Sequence, residues 1–401
     1  MDILQAKNIV IDAGVKLVET GLIARTWGNV SCRVDAESFV ITPSGKPYIG
    51  LTPDDIVLVR IADLAWDGDV KPSSEKGVHA EVYKAHPEAN FVIHTHQKNA
   101  SVISDLAVGI PYVRGEAEKL IGKEVPIASY GLPGTGKLKK GVANALAMYP
   151  GSKAIIMAHH GAVCFGADDT EAFNVAAALE DICGEYIIDS AACKLALKCE
   201  DLADFCRQMP AVLRKEKAEV PDPGTLFNSE CDRSKGEITF ALNDGNNETA
   251  GVASLETGSV ISGDLPAEAE LHRNIYLKRR EYNNIIHNTD PETVAVSSLG
   301  RTMMPLLDDF AQIVGTKVKC TCPKGCAKAL KGRNAVLIKN EGALCCGGNE
   351  GDAQAVDMIV SKNCLTQLGA SIFGKPKKIG MIDAKLMRVI YLTKYSKKAS
   401  E

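Results

Sequence analysis

Two histidines stand one residue apart in the apolar run FVIHTHQ at residues 91–97. If this run is a β-strand, alternate side chains emerge on the same face, so His94 and His96 lie on one side together with Val92. Burying either imidazole without a partner is costly, and a shared metal ion would satisfy both. The pair predicts a metal site, while two core histidines with hydrogen-bond partners are the alternative.

A second pair of histidines, His159 and His160 in AHHG, extends the candidate ligand set, and so does Glu75 at the start of an expected helix. Three neutral imidazoles with an open or carboxylate-occupied fourth position are typical of catalytic zinc. Structural zinc is usually closed by four ligands, commonly with cysteines. The residue types therefore predict a working divalent-metal site in the first half of the chain.

Helices and strands are expected to alternate around these residues. Helical spacing covers residues 3–20, 75–86, 138–148 and 169–189, and the expected strands are SCRV, SFVITP, FVIHTH and KAIIMAH. Some consecutive strands are hairpin-like and others are separated by helices. This pattern predicts an α/β domain with a central mixed or mainly antiparallel sheet flanked by helices.

The chain contains a long internal repeat. Aligning the chain with itself matches two blocks of identical residues, and the second copy is shorter between them. The pairs are Glu75 with Glu268, His79 with His272, Tyr83 with Tyr276, His94 with His287, Gly122 with Gly315, Ala154 with Ala335, Gly161 with Gly342, Cys164 with Cys345 and Gly166 with Gly347. A repeat of this length predicts two whole domains rather than a solenoid.

A polar, proline-containing segment at residues 208–230 separates the two copies. We therefore expect domains at residues 1–215 and 216–401. In the second copy Thr289 replaces His96 and Glu341 replaces His160. Too few imidazoles remain for the same metal site, so the second copy is expected to be a degenerate domain that packs against the first.

The composition excludes several classes of protein. With 46 Lys and Arg against 50 Asp and Glu, the chain has a net charge of -4, so no basic surplus points to nucleic acid. We find no apolar run of the roughly 18 residues that cross a bilayer, and the charged N-terminus is unlike a signal peptide. A cytoplasmic protein without a membrane partner is expected.

Thirteen cysteines, an odd number spread along the chain, suit free thiols better than a secreted disulfide framework. Cys320, Cys322 and Cys326 in CTCPKGC could hold a soft metal together with Cys345 or Cys346, but the spacing is not that of the usual CxxC pair. Buried free thiols are the favoured interpretation.

Small polar residues near the candidate metal ligands suit a phosphate monoester. Asn29, the turn at Ser44 and Gly45, and the helix start at Ser73 and Ser74 supply an amide, hydroxyls and backbone N–H groups. The same serines also fit a turn and a helix cap.

The ordered motifs WGNVSCR, ITPSG, PSSE, HTH and AHHGAV resemble the class II aldolase and adducin family across the whole first half. The second half resembles a degenerate tandem copy. The resemblance implies that His94, His96 and His160 bind Zn²⁺, or Mn²⁺, Fe²⁺ or Co²⁺ in its place. It implies that Glu75 is the catalytic acid or base, that the small polar residues bind phosphate, and that the chain forms a homo-oligomer.

The function implied by this resemblance is a metal-dependent aldehyde-lyase that cleaves a small phosphorylated ketose through an enediolate. One position departs from the fuculose phosphate aldolase pattern, because Gly115 stands where that pattern has a tyrosine. The next residue, Glu116, resembles the acidic residue of the family's methylthioribulose phosphate dehydratases, although a solvated helix would also explain it. A sugar-phosphate dehydratase or 4-epimerase, and a non-catalytic adducin-like module, are the alternatives.

Overall fold

The computed structural model describes residues 1–23, 27–215, 227–242 and 248–395. Within these residues the first half forms a seven-stranded sheet. Its strands, numbered along the chain, are β1 (Asn29–Arg33), β2 (Ser38–Ile41), β3 (Val57–Arg60), β4 (Phe91–Thr95), β5 (Ile127–Ala128), β6 (Ala154–Met157) and β7 (Ala162–Gly166). They lie in the order β3, β2, β1, β4, β7, β6, β5. Neighbouring strands are antiparallel except for the parallel pair β5 and β6.

The second half forms an eight-stranded sheet within its described residues. Its strands are β8 (Phe227–Asp232), β9 (Glu237–Leu242), β10 (Thr249–Ser254), β11 (Val260–Gly263), β12 (Asn284–Asn288), β13 (Cys320–Thr321), β14 (Ala335–Ile338) and β15 (Gly342–Gly347). The spatial order β11, β10, β9, β8, β12, β15, β14, β13 repeats the first sheet with one added edge strand. The expected mixed, mainly antiparallel α/β architecture is confirmed in both halves.

Helices flank both sheets. In the first half they are α1 (Ile3–Glu19), α2 (Lys76–Ala85), α3 (Lys98–Ser104), α4 (Glu116–Ile121), α5 (Gly136–Met148), α6 (Asp169–Leu195) and α7 (Leu202–Arg214). In the second half they are α8 (Ala269–Lys278), α9 (Pro291–Ser298), α10 (Cys326–Ala329), α11 (Glu350–Ala370) and α12 (Met381–Ile390). Shorter turns are 3₁₀-helical at Pro323–Gly325 and π-helical at Phe310–Val314 and Tyr391–Tyr395. None of the helices in these ranges is both long and apolar enough to span a bilayer.

The molecule is layered, with a shared helical layer between the two sheets. One continuous apolar core contains residues of α1, α3, α6 and α7 together with residues of α9 and α11, so it joins both halves of the chain. On the outer face of the first sheet α2 and α5 bury a second core, and on the outer face of the second sheet α8 and α10 bury a third. Strand β4 shows the two-faced pattern, since Phe91 and Ile93 enter the shared core and Val92 enters the outer one.

Helices at matching positions of the two halves begin with the same kind of N-terminal cap. Asp168 accepts a hydrogen bond from the backbone N–H of Glu171 at the start of α6, and Asn349 does the same for Asp352 at the start of α11. The shortening of the second copy falls on α10, which has 4 residues where α5 has 13. Helix α6 runs further than expected, to Leu195 rather than residue 189. The predicted domain boundary adjoins residues 216–226, which lie outside the described residues, so it stays a prediction.

Candidate metal centre

Three imidazoles converge at one end of the first sheet. His94 lies in β4 between Asn29 of β1 and Val163 of β7, and His96 follows the end of β4 by one residue. His160 lies in the turn that joins β6 to β7. The ring centroids of the three histidines are 4.7–4.9 Å apart, and the three residues are 1–5% exposed. His94 and His96 lie side by side, as the expected alternation requires, although β4 ends at Thr95 and His96 lies just beyond the strand.

The turn that carries His160 has a special backbone. His159 adopts a left-handed conformation with φ of 60°, which is uncommon for a residue with a Cβ. The next residue, Gly161, lies so close to β4 that a Cβ would come within 2.2 Å of the Thr95 carbonyl oxygen and 3.0 Å of the His94 ring. Glycine therefore lets the turn approach β4, and His160 reaches the other two histidines.

Glu75 lies at the start of α2 and points into the same cluster. Its Oε1 is 2.9 Å from Nε2 of His160, and its Oε2 is 3.2 Å from Nε2 of His94. The Nδ1 atom of His94 is 2.9 Å from the carbonyl oxygen of Ala162. A proton on that Nδ1 leaves the His94 Nε2 lone pair facing the carboxylate, and this buried Nε2 has no hydrogen-bond partner.

The donor set fits a divalent cation. One nitrogen from each of His94, His96 and His160 lies within 4.8 Å of the others, and within the described residues this is the one group of three or more such ligands. Three imidazoles with an adjacent carboxylate form the ligand combination of a catalytic site with an open position. The arrangement can therefore hold a metal ion.

Burial and charge set different protonation states for these groups. Burial lowers the pKa of His94 to about 4 and that of His96 to about 3. Burial also acts to lower the pKa of His160, but the carboxylates of Glu75 and Asp308 raise it to about 10. Burial acts to raise the pKa of Glu75, yet the neighbouring imidazoles hold it well below its usual range. Without a metal, His160 and Glu75 therefore form an ion pair beside two neutral imidazoles.

A series of buried, hydrogen-bonded side chains holds the Glu75 carboxylate in place. The Asn29 amide donates to Glu75 over 3.2 Å, and the Asn29 oxygen contacts Nε2 of His79. On the other side of the ring, His79 Nδ1 is 2.6 Å from the hydroxyl of Ser31, which is also 2.7 Å from the hydroxyl of Tyr83. Burial lowers the pKa of His79 to about 3, so a neutral ring links Ser31 to Asn29.

Four of the five predicted phosphate-binding residues lie on two adjacent loops, and the fifth, Asn29, is the first residue of β1. The Ser73 N–H donates to the Thr42 carbonyl oxygen over 3.0 Å, and the Ser44 N–H donates to the Lys71 carbonyl oxygen over 2.9 Å. These bonds bring Ser44 and Gly45 next to the start of α2. The Ser73 hydroxyl accepts from the Glu75 N–H over 3.2 Å just before α2, and Ser74 is exposed.

Glu116 lies apart from the histidine cluster. It is the first residue of α4, its side chain is 85% exposed, and its carboxylate pairs with Lys119 at 2.6 Å. The structure therefore brings together the three histidines, Glu75 and Asn29, with Ser73 beside them, and leaves Glu116 on the surface of the chain.

Two carboxylates of the second half complete the surroundings of the cluster. Asp308 Oδ2 is 3.3 Å from Nδ1 of His160, and Asp309 Oδ2 is 3.4 Å from Nδ1 of His96. Our sequence analysis missed both residues. The repeat offered a signal, because the alignment that pairs Gly122 with Gly315 also pairs Gly115 with Asp308 and Glu116 with Asp309.

The second half does not rebuild the site within its described residues. Phe227 occupies the strand position of Asn29 and packs on His272 with ring centroids 4.7 Å apart. Pro266 and Ala267 stand where the first half has Ser73 and Ser74. The thirteen cysteines are free thiols, nine of them buried, and Cys320, Cys322 and Cys326 do not converge as metal ligands.

Comparison with known proteins gives consistent matches. The family profile described as "Class II Aldolase and Adducin N-terminal domain" matches residues 8–187 and 242–368. The chain is 33% identical over 176 residues to the 5-methylthioribulose-1-phosphate/5-deoxyribulose-1-phosphate aldolase of Rhodospirillum rubrum, covering 44% of this chain and 77% of that protein. It is 34% identical over 154 residues to the L-fuculose phosphate aldolase of Escherichia coli, covering 38% of this chain and 69% of that protein.

Solved structures of similar proteins cover about one half of the chain. An L-fuculose 1-phosphate aldolase structure aligns with 30% identity and a TM-score of 0.43 over 46% of this chain and 86% of that one. The L-fuculose-1-phosphate aldolase of Thermus thermophilus aligns with 25% identity and a TM-score of 0.39, over 47% of this chain and 96% of that one.

Proposed function

Because the chain belongs to the class II aldolase and adducin family, we propose that its first domain is a divalent-metal-dependent aldolase for a small phosphorylated ketose. The observation that carries this proposal is the convergence of three imidazoles and Glu75 in one buried cluster. The names of two relatives, aldolases for fuculose phosphate and for methylthioribulose and deoxyribulose 1-phosphates, support the substrate class.

His94, His96 and His160 would hold the metal through the nitrogens that face one another, and Zn²⁺, Mn²⁺, Fe²⁺ and Co²⁺ all accept imidazole ligands. When bound, such a cation supplies a Lewis acid that stabilises negative charge on oxygen.

The remaining groups of the site suit aldol cleavage. In a ketose 1-phosphate, removal of the proton on the C4 hydroxyl lets the bond between C3 and C4 break. Its electron pair moves toward the C2 carbonyl, so an aldehyde leaves and the enediolate of dihydroxyacetone phosphate remains. Protonation at C3 then gives the second product. Glu75 would accept the proton of the C4 hydroxyl and donate a proton to C3, because it is a buried carboxylate directed at the centre of the cluster by Asn29.

The phosphate of the substrate would lie against the two loops that meet beside α2. Ser44 and Gly45 are half-buried there, and Ser73 and Ser74 add hydroxyls at the start of a helix. Helix N-termini favour anions through free N–H groups and the helix dipole. This placement would set the reacting carbons of the substrate near Glu75.

The dehydratase alternative depends on Glu116, which is exposed and paired with Lys119 on the surface of α4. Its position gives that reaction no support within a single chain, so we favour aldol cleavage over dehydration. A homo-oligomer, which the family resemblance suggests, is part of the proposal, and sedimentation that detects only monomer would reject it.

The decisive experiment measures metal content and cleavage together. The full chain should bind about one divalent ion and release dihydroxyacetone phosphate from at least one of L-fuculose 1-phosphate, 5-deoxyribulose 1-phosphate and 5-methylthioribulose 1-phosphate. His94→Ala should lose both properties. His86→Ala changes a buried histidine outside the cluster and should keep both.

Two outcomes would reject the proposal. The first is a folded chain that binds no metal, or whose His94→Ala variant cleaves sugar phosphates as the parent does. The second is a product spectrum by NMR in which water is lost from the substrate and no carbon–carbon bond is broken, which would establish a dehydratase.

A further inference from the structure

Two of the three imidazoles have a carboxyl group of the second half of the chain beside their Nδ1 atoms. The Nδ1 atoms of His160 and His96 face Asp308 and Asp309 at 3.3 and 3.4 Å. Both aspartates are buried, with 0% and 1% exposure. The three imidazoles and Glu75 thus belong to the first half of the chain, while the carboxyl groups beside the Nδ1 atoms of two rings belong to the second.

The third imidazole, His94, shows how a hydrogen-bond acceptor at Nδ1 orients a ring. His94 Nδ1 has the carbonyl oxygen of Ala162 at 2.9 Å, and this contact directs its Nε2 lone pair into the cluster. Within the described residues, the Nδ1 atoms of His96 and His160 make no hydrogen bond of regular geometry. The carboxylates of the second domain stand where these two rings need an acceptor.

Further contacts fix the two aspartates in place. Asp309 pairs with the ammonium of Lys362 on α11, which is 3% exposed and also donates to the His96 carbonyl oxygen over 3.3 Å. The hydroxyl of Tyr130 donates to Asp308 over 3.4 Å, and the Asp308 N–H donates to the His159 carbonyl oxygen over 2.8 Å.

Packing between the two halves does not account for these two buried carboxyl groups. Burying polar or ionised side chains is unfavourable, and an apolar pair of similar volume often gives an interface of equal or greater stability. The first half has Gly115 and Glu116 at the same two repeat positions, and Glu116 is exposed there. The repeated fold therefore does not require a buried carboxylate at either position, and the carboxylates that are buried are those that face the histidines.

We propose that Asp308 and Asp309 are positioning residues for His160 and His96, so that the degenerate second domain completes the metal site of the first. This inference rests on the metal site of the proposed function and adds a role for the second domain. A carboxylate behind a ligating imidazole fixes its tautomer and raises its basicity. Loss of such a partner typically weakens metal affinity about 10–100-fold.

Cobalt binding to the full chain tests the proposal. Co²⁺ affinity is measured by chelator competition, and the visible absorption of the bound ion reports its ligand geometry. Asp308→Asn and Asp309→Asn should each weaken Co²⁺ binding about 10–100-fold and alter the spectrum. The double variant Asp309→Asn/Lys362→Met removes both charges of the buried pair, so it keeps the test open if Asp309→Asn alone misfolds.

Asp105→Asn is the matched control. Asp105 is also buried between the halves, lying 3.2 Å from Nδ1 of His159 and accepting a bond from the Lys377 N–H. His159 is not among the clustered ligands, so this variant should bind Co²⁺ within about threefold of the parent.

Folded Asp308 and Asp309 variants that bind Co²⁺ as tightly as the parent, with an unchanged spectrum, would overturn the positioning role and leave the metal site standing. Equal losses in these variants and in Asp105→Asn would also overturn it, since they would show a general effect of the interface. A parent chain that binds no Co²⁺ would reject the proposed function, and this inference with it.

Discussion

Asn29 donates its side-chain amide to the carboxylate of Glu75 over 3.2 Å, while its oxygen contacts the ring of His79. The carboxylate is therefore directed toward the imidazoles by a neighbouring strand and not only by its own helix. His79 is held in turn by the Ser31 hydroxyl at 2.6 Å. A chain of buried polar groups in the outer core thus sets the orientation of the proposed acid or base.

Asn29→Ala should lower kcat for aldol cleavage about 10–100-fold, because a small displacement of a reacting group is enough to slow a reaction by that factor. Steady-state kinetics separates two roles of Asn29. A fall in kcat marks the orientation of Glu75, whereas a rise in KM with unchanged kcat marks uniform substrate binding through the phosphate. Asn90→Ala removes an exposed asparagine that bonds the Ala167 carbonyl and should leave both constants unchanged. Kinetics of Asn29→Ala equal to those of the parent would contradict both roles.

The hydrogen-bonded group of a serine, a histidine and a tyrosine recurs in the second half. The same serine substitution can therefore be compared in the two halves. Ser229 lies 2.7 Å from His272 Nδ1 and 2.8 Å from the Tyr276 hydroxyl, as Ser31 does with His79 and Tyr83. Ser31→Ala and Ser229→Ala should each lower the free energy of unfolding by about 1–3 kcal/mol, because each leaves buried polar groups unpaired. Only Ser31→Ala should also reduce kcat. The ring of His79 contacts Asn29, which orients Glu75, whereas the ring of His272 packs on Phe227.

Denaturant unfolding and cleavage assays of both serine variants check this prediction. Equal losses of kcat in the two variants would show that activity follows overall stability. That result would contradict a specific link from Ser31 to Glu75.

The sequence predicts much of this site because the alternation of side chains along a strand depends only on neighbouring residues. The spacing of His94 and His96 and the apolar run around them were sufficient to place both rings on one face. The choice between His159 and His160 came from the family resemblance. The structure explains it through the left-handed backbone of His159 and the close approach of Gly161, which periodicity does not encode.

The sequence patterns did not predict the contacts between the two halves of the chain. Asp308 and Asp309 precede a π-helical turn, and their approach to His160 and His96 depends on how the two halves pack through a shared core. The predicted phosphate-binding serines illustrate another ambiguity, since the Ser73 hydroxyl accepts a local hydrogen bond from the Glu75 N–H whether or not a phosphate binds nearby.

Gly161→Ala should disrupt the proposed metal site, although it adds only one methyl group. The added Cβ would meet the Thr95 carbonyl and the His94 ring, so the turn must move and His160 must leave its place. We expect Co²⁺ affinity to fall at least about tenfold, with a loss of about 1–3 kcal/mol in stability from overpacking. Gly136→Ala adds the same methyl group at the open start of α5 and should change neither property. Tight Co²⁺ binding by Gly161→Ala would show that the close approach is dispensable.

The environment of Asp357 on α11 predicts how the stability of the fold depends on pH. Its Oδ1 accepts from the Asn288 amide over 2.7 Å, and it lies among Asp290, Glu292 and Lys98 at the contact between the halves. Burial and the neighbouring carboxylates raise its pKa from 3.8 to about 6, against the opposing effects of Asn288 and Lys98. The folded chain therefore holds this proton more tightly than the unfolded chain, and stability from this group falls as pH rises from about 4 to about 6.

Asp357→Asn keeps an acceptor for Asn288 and removes the charge, so the variant should be more stable than the parent above pH 6. The gain should be about 1–3 kcal/mol, since one pKa unit corresponds to about 1.4 kcal/mol and partial exposure screens some of it. The gain should vanish near pH 4, where Asp357 is protonated in the folded parent. Asp189→Asn on the exposed face of α6 is the control and should show no such dependence. Urea unfolding at pH 4, 5, 6 and 7.5 measures the difference, and a gain that stayed constant across these pH values would mean that the titration of Asp357 does not cause it.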